Sequence, residues 1–401
     1  MWKNRNFTLL TFGNFVSRVG NSIYSIAISW WLATTFSGSL EVGYVLSATT
    51  LGNVIVSPIA GVLIDKVRKK NAIVVCDLIS GLLMLIVSFL VYTDYTNIFP
   101  YVIISLLLGI ISSFFKPAIK TIIPIIIKNE SELIKANSIN DNIGAISKII
   151  GPSIAAIFFN FKSAAFLITF VNAISFILSA ISEMFIVTDE KIHTEVIENK
   201  FINNLVDGIK YMYSHKLIYY SIAYISIINI FISSFDVLSP VYINNIKGLD
   251  GKFYSQFMLA YSVGAIATML YTMLKKEIVI DINMVVGPLI IFAFGLLLMA
   301  LSTDSMILLI CAFLLGFSIS LFNSVFFANI QKKCDKEYLG RVFSLVFTMA
   351  LLFTPPAMLI FGKLGEISIT KSFLVSGISI IIISLIYRYL YIANEQKITV
   401  E

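Results

Sequence analysis

Residues 14–22 read NFVSRVGNS and lie between the apolar runs FTLLTFG and IYSIAISWWLA. Arg18 therefore falls where a guanidinium has no bulk water. An arginine at the centre of a membrane-spanning helix costs about 3 kcal/mol on insertion scales. It must face a watery cavity, a carboxylate or a cluster of carbonyls. Asn14, Ser17 and Asn21 stand three or four residues from it, so all four can share one helical face. Few other ionic groups interrupt the apolar runs: Asp77, Lys120, Lys148, Glu183 and Asp236. A carboxyl in a low-dielectric setting can gain and lose a proton in a useful range. These types and spacings predict a polar path lined by Arg18, Asn14, Asn21 and Lys148, with Asn229 in the second half of the chain. Asp236 is the leading protonatable acid on that path and Asp77 the second. The plainer reading is that Arg18 pairs with an acid to hold two helices together. Glu183 and Lys116 read as interfacial.

The elements that hold these groups follow from composition. The 401 residues are 58% hydrophobic and 13% charged, with mean hydropathy +0.91, whereas a soluble domain carries about 25% charged residues. Lipid must be the solvent for most of the chain. A lipid-embedded backbone satisfies its own hydrogen bonds, as helices or as a closed barrel. The apolar runs exceed the roughly 20 residues a spanning helix needs and do not alternate. The expectation is an all-α membrane protein with twelve spans near 7–33, 42–64, 72–92, 98–127, 138–160, 164–187, 217–243, 254–274, 282–302, 305–330, 339–362 and 368–392. Pro117 and Pro124 suggest that the last third of the fourth span projects beyond the bilayer. The polar stretch 188–216 divides the spans six and six. The expected domains are an N-terminal six-helix bundle at 1–187, a cytoplasmic linker at 188–216 and a C-terminal six-helix bundle at 217–401.

Lysine and arginine give the orientation. With the N-terminus inside, 22 of the 29 fall in cytoplasmic segments and 5 in outer loops, Arg18 and Lys148 being the remainder. Both termini are expected inside a cell membrane, MWKNRN being retained as a cytoplasmic stub. The same bias accounts for the net charge of +6 without a nucleic-acid partner. Trp30 and Trp31 read as interfacial aromatics. Cys76, Cys311 and Cys334 are too few and scattered for a disulfide framework or metal cluster, and read as free buried thiols. His193 and His215 fall in the linker, which argues against a membrane enzyme built on histidine. NFVSR of span one is faintly echoed by IFISS, residues 230–234, in span seven. Two like halves suit a transporter built from parallel repeats.

Between spans two and three lies GVLIDKVRKK, residues 61–70. Gly61 permits close helix approach, Asp65 can sit at a neighbouring helix N-terminus, and Arg68 can bridge to an acid. Together they read as a cytoplasmic latch. Gly151-Pro152 in span five removes a backbone donor and admits a close neighbour, so it reads as a helix-bend motif.

GxxxDxxxxK in this loop resembles the signature loop of the major facilitator superfamily. Pro117-Ala118, Pro124, Leu133, Ala136-Asn137 and Gly151-Pro152 resemble its drug-efflux branch of macrolide-efflux and enterobactin-exporter proteins. So do SRVGNSIYSIAISWWL in span one and GRVFSL, residues 340–345. Gly340 and Arg341 join the expected latch on this resemblance. Three departures stand out. Lys66 follows Asp65 where the branch often has arginine, Ser80 stands three residues after Asp77 where arginine is frequent, and Ala155-Ala156 replace a glycine pair. The resemblance implies two six-helix bundles and no enzyme. It also implies export of small amphipathic molecules of the macrolide kind by alternating access, driven by proton antiport. Arg18 and its neighbours would line the gap between the halves. An exporter or flippase of an endogenous siderophore, peptide or lysolipid is the alternative. No cofactor beyond a proton gradient and no metal are expected; the partners are a small-molecule substrate and the bilayer, with the chain a monomer.

Overall fold

The computed structural model describes residues 4–188, 207–246, 248–275, 281–302, 304–335 and 337–400. Most of the expected linker, including His193, lies outside them.

Among the described residues the fold is all helical, with twelve long helices. In chain order these are α1 Arg5–Thr35, α2 Ser39–Asp65, α3 Lys69–Tyr92, α4 Phe99–Ile126, α5 Glu130–Phe158, α6 Ala164–Met184, α7 Lys216–Val241, α8 Gly251–Leu274, α9 Ile282–Leu301, α10 Ser305–Lys333, α11 Leu339–Leu352 and α12 Thr354–Val400. A π-helical turn, Tyr242–Ile246, follows α7. Residues 207–214 are also helical.

Caps set several starts. Asn4 accepts from the Asn6 and Phe7 amides to open α1, Asp281 from Met284 to open α9, and Asp304 from Met306 and Ile307 to open α10. Each occupies orphan donors of a first turn. In α3, Ile73, Asp77, Gly81, Met84 and Ser88 are buried while Ile79, Leu82, Ile86 and Phe89 are exposed. Both stripes follow helical spacing, and the exposed one is apolar, as a lipid-facing surface requires.

Packing divides the chain into two compact units. The first comprises 1–37, 44–196 and 248–259; the second comprises 38–43, 197–247 and 260–401. The start of α2 falls in the second unit and the start of α8 in the first. In the first unit α1 packs on α5 and α6, and α3 packs on α4 and α6. In the second, α12 packs on α7 and α9, and α9 on α10.

A structural repeat is plainer than the echo in sequence. In the first unit, a Cβ on Gly109 of α4 would run into the Thr49 carbonyl of α2. In the second, a Cβ on Gly316 of α10 would run into the Tyr261 carbonyl of α8. Each unit closes the same crossing, its second helix on its fourth, with a glycine that admits the neighbouring backbone.

Some expected spans are corrected. The eleventh breaks after Leu352, because Pro355 and Pro356 supply no backbone donors and suit the first turn of a new helix. That new helix continues past 362 and turns at Ser368, whose backbone is extended at φ −168° and ψ 110°. The fourth span is one unbroken helix to Ile126 with Pro117 and Pro124 inside it. Its last third is core, with Ala118, Ile119, Ile122, Ile123 and Ile126 in one cluster with Phe7, Leu10 and Ile73. Trp30 and Trp31 are buried rather than interfacial. Trp30 stacks on Tyr254 at 5.6 Å and meets Phe159 edge-on at 6.4 Å, and Trp31 packs on Tyr101 at 5.0 Å.

Nine segments of the described residues are long and apolar enough to cross a membrane. Neither α1 nor α5 is among them. The two helices that fall short pack on each other, and between them they carry Asn14, Ser17, Arg18, Asn140, Asp141 and Lys148.

Candidate functional site

Within the first unit α1 presents two faces. On one, Gly13 and Gly20 lie against Ser179, Ser175 and Asn172 of α6. On the other, Asn14, Arg18 and Ser22 meet α5. Arg18 Nε donates to Asn14 Oδ1 at 2.8 Å, one helical turn earlier. Asn14 Nδ2 donates to Asn140 Oδ1 of α5 at 2.8 Å, and Asn140 Nδ2 to Asp141 Oδ1 at 3.4 Å. Asn14 and Asn140 are buried and Arg18 is half-buried. Asp141, itself exposed, acts on Arg18 by charge attraction. The guanidinium passes over Gly144, where a Cβ would lie 2.7 Å from Nη1.

Arg18 ties α1 to α5 through two asparagines rather than by a direct carboxylate bond, and it is half-buried. The expected single stripe splits. Asn14 and Ser17 are buried in packing, whereas Asn21 is exposed. Lys148 is exposed on α5 and, among the described residues, takes no part in the hydrogen-bonded chain of asparagines. Lys116 of α4 is exposed, and its charge is felt by Arg18. Two like cationic groups therefore lie near each other beside the asparagine network.

Gly151 sits against Ser22 of α1, closely enough that a Cβ would overlap the Ser22 side chain. Pro152 is buried beside it inside α5. The Gly151-Pro152 step therefore lies where α1 and α5 cross.

Asp77 of α3 and Glu183 of α6 are 1% and 0% exposed. The interfacial placement of Glu183 is corrected. It lies where α1, α3 and α6 pack, with Gly13 of α1 within 3.3 Å of its Cγ as measured from a Cβ built there. Sequence reasoning missed this because Glu183 is the second residue from the end of α6, a position that usually reaches solvent. The spacing Ser175-Ser179-Ser182-Glu183 was the available signal.

In the second unit Asp236 is exposed on α7 amid buried Ser233, Ser234, Phe235 and Val237. Phe235 stacks on Tyr261 of α8 at 5.3 Å, and Tyr261 and Asp236 interact electrostatically. Asn229 is half-buried and donates to its own helix at the Ile225 carbonyl, 2.8 Å away.

The latch residues are placed unevenly. The Asp65 side chain lies outside the described residues. Arg68 is exposed. Gly61 is not a close-approach glycine, for among the described residues nothing lies within 4 Å of a Cβ placed there; the same holds for Gly340. Arg341 does form contacts. Its Nη1 is 3.7 Å from Asp207 Oδ2, and its guanidinium lies 5.3 Å from the Tyr338 ring centroid.

Cys76, Cys311 and Cys334 are free and buried. Among the described residues no group of three or more His, Cys, Asp or Glu could hold a metal ion.

Comparison with known proteins agrees with this architecture. The family model described as Major Facilitator Superfamily matches residues 10–354. Macrolide efflux protein A of Streptococcus pyogenes is 23% identical over 398 residues, covering 96% of this chain and 95% of its own. The staphyloferrin A transporter of Staphylococcus aureus (strain NCTC 8325 / PS 47) is 26% identical over 387 residues, 94% of each chain. Among solved structures, the nucleoside transporter NupG aligns with TM-score 0.73 at 12% identity, covering 96% of this chain and 99% of its own. A bacterial homologue of the iron transporter ferroportin, in an inward-facing state, aligns with TM-score 0.70 at 19% identity, covering 97% and 98%. At such identities the solved structures establish the fold alone.

Proposed function

The chain belongs to the major facilitator superfamily and is a multi-pass membrane transporter rather than an enzyme, and on that premise we propose that it exports small amphipathic molecules by alternating access. The observation that carries this reading is the polar seam of α1 and α5. A half-buried guanidinium is held by Asn14, which in turn donates to Asn140, in the two helices too polar to count as plain spans. A relative named for macrolide efflux supports the export direction, and one named for staphyloferrin A transport supports a small-molecule substrate.

Arg18, Asn14, Asn21, Lys148 and Asn229 would be the substrate-contacting residues. Asp236 would be the leading acid of a proton antiport and Asp77 the second. Asp65, Arg68 and Arg341 would form the cytoplasmic latch, with both termini inside a plasma membrane and the chain acting as a monomer. Gly151-Pro152 would set the bend of α5 against Ser22.

A second reading has its own observation. Arg18 and Lys116 place two positive charges within electrostatic reach of each other. An anionic ligand would relieve that repulsion, which favours a siderophore or an anionic lysolipid over a neutral or cationic drug.

Uptake into inside-out proteoliposomes under an imposed pH gradient, screened over macrolides, dyes, siderophores and lysolipids, tests both. Gradient-dependent accumulation of any of these supports export, and accumulation confined to the anions selects the second reading. No accumulation of any compound counts against both. Asp236→Asn should abolish proton-driven accumulation; a variant that still concentrates substrate removes Asp236 from the coupling role. Asp65→Asn should raise cytoplasmic accessibility to thiol reagents, and unchanged accessibility removes the latch.

A further inference from the structure

We propose that Asp77 and Glu183, bridged by the Ser179 hydroxyl, form a buried proton-binding site inside the first unit, apart from the Arg18–Asn14–Asn140 network. Ser179 Oγ donates toward Glu183 Oε1 at 3.5 Å, and the same side chain lies near enough to Asp77 to act on its carboxyl. One hydroxyl therefore stands between two carboxyl groups. It has a single proton to give. Asp77 Oδ2 and Glu183 Oε2 are both fully enclosed and, among the described residues, have no hydrogen-bond partner. Such oxygens are expensive to leave unmatched, and here they belong to two groups that act on each other electrostatically across α3 and α6.

Among the described residues the surroundings show no compensating charge. From α3 the neighbouring titratable group is Cys76, a thiol that feels both acids. From α1 the site meets Gly13, which carries none. On α4, which packs on α3, the titratable side chains Lys116 and Lys120 are exposed, and Lys116 acts on Arg18. Among the described residues no lysine or arginine is seen acting on the pair. Two carboxylates there would each lack solvation and would repel one another.

A single bound proton resolves the arrangement. It converts one carboxylate to a neutral carboxylic acid and so removes the repulsion between the two, while Ser179 keeps its own donation. The ligand is a hydrogen ion taken from water, with no other bond made or broken. Only its use in coupling rests on the transporter reading.

Infrared spectra of the full-length protein in lipid, at neutral pH, test the site without substrate. The wild type should show a protonated-carboxyl C=O band that is lost in the double variant Asp77→Asn/Glu183→Gln. Identical carboxyl spectra for the two proteins would overturn the proposal. Ser179→Ala, a small change that preserves packing, should shift the band; an unshifted band would overturn the bridge. Replacing choline with sodium at fixed pH should leave the band unchanged. Its loss would mean that sodium displaces the proton, which also overturns the proposal. None of these readouts depends on transport, so failure here leaves the export reading standing, and the reverse.

Discussion

Tyr211 and Asp335 bond each other twice. The Tyr211 hydroxyl donates to Asp335 Oδ2 at 3.0 Å and accepts from the Asp335 backbone N–H at 3.0 Å. The ring is sandwiched as well, stacked on Tyr338 at 4.3 Å and on His215 at 3.9 Å. Tyr211 lies in the helical stretch 207–214, and Asp335 in the turn between α10 and α11. The stretch that leads into α7 is thereby pinned to a turn more than a hundred residues later.

Removing the hydroxyl with Tyr211→Phe keeps the stack and loses both bonds. The expected loss is about 1–3 kcal/mol, since one partner is a carboxylate. It is read as a lower melting temperature in detergent. Burial pushes the Tyr211 hydroxyl up to about 12, from about 10 in the unfolded chain. The stabilisation is therefore complete below about 10 and disappears as pH rises through about 12. The gap in melting temperature between wild type and variant should be constant at neutral pH and narrow in strong alkali. A gap that does not respond to alkali would show that the hydroxyl is not the cause.

Gly144 and Gly151 face the same helix, yet substitution by alanine should separate them. At Gly144 the new methyl meets the far end of the Arg18 side chain, which can move. At Gly151 it meets the side chain of Ser22 and, at 2.9 Å, its backbone carbon. Gly144→Ala should leave stability within about 1 kcal/mol while changing transport through Arg18, and Gly151→Ala should destabilise by about 1–3 kcal/mol. Equal melting temperatures for the two variants would contradict the packing described.

Asn14→Ala strips Arg18 Nε and Asn140 Oδ1 of partners in one step. A buried group left unmatched costs about 1–3 kcal/mol. The variant should melt lower than Asn21→Ala, whose side chain is exposed. Transport should fall in both if the seam contacts substrate, so the pairing of stability and transport assays separates a structural from a binding role.

Arg341→Ala should change stability by less than about 1 kcal/mol. Its 3.7 Å contact with Asp207 joins two groups that are 34% and 48% exposed, and such pairs contribute little. A larger loss of melting temperature would assign Arg341 a packing role against Gly208, whose added Cβ would lie 3.2 Å from Arg341 Cβ.

Composition and periodicity settled the lipid setting and the helical class, because long apolar runs have no other backbone solution in a bilayer. They also singled out Arg18 and Gly151-Pro152, since a charge or a helix-breaking residue in such a run stands out by itself. Placement of the buried acids was a different matter. Glu183 sits at a helix end that reads as interfacial, yet the α1–α3–α6 packing encloses it completely. Gly61 carried a motif match, yet its neighbourhood is open among the described residues, while Gly109 and Gly316 make the close crossings without one. One-dimensional spacing gives which residues share a face of a helix. Which neighbour covers that face, and how nearly, is fixed by contacts between residues far apart in the chain, and only the tertiary structure holds those.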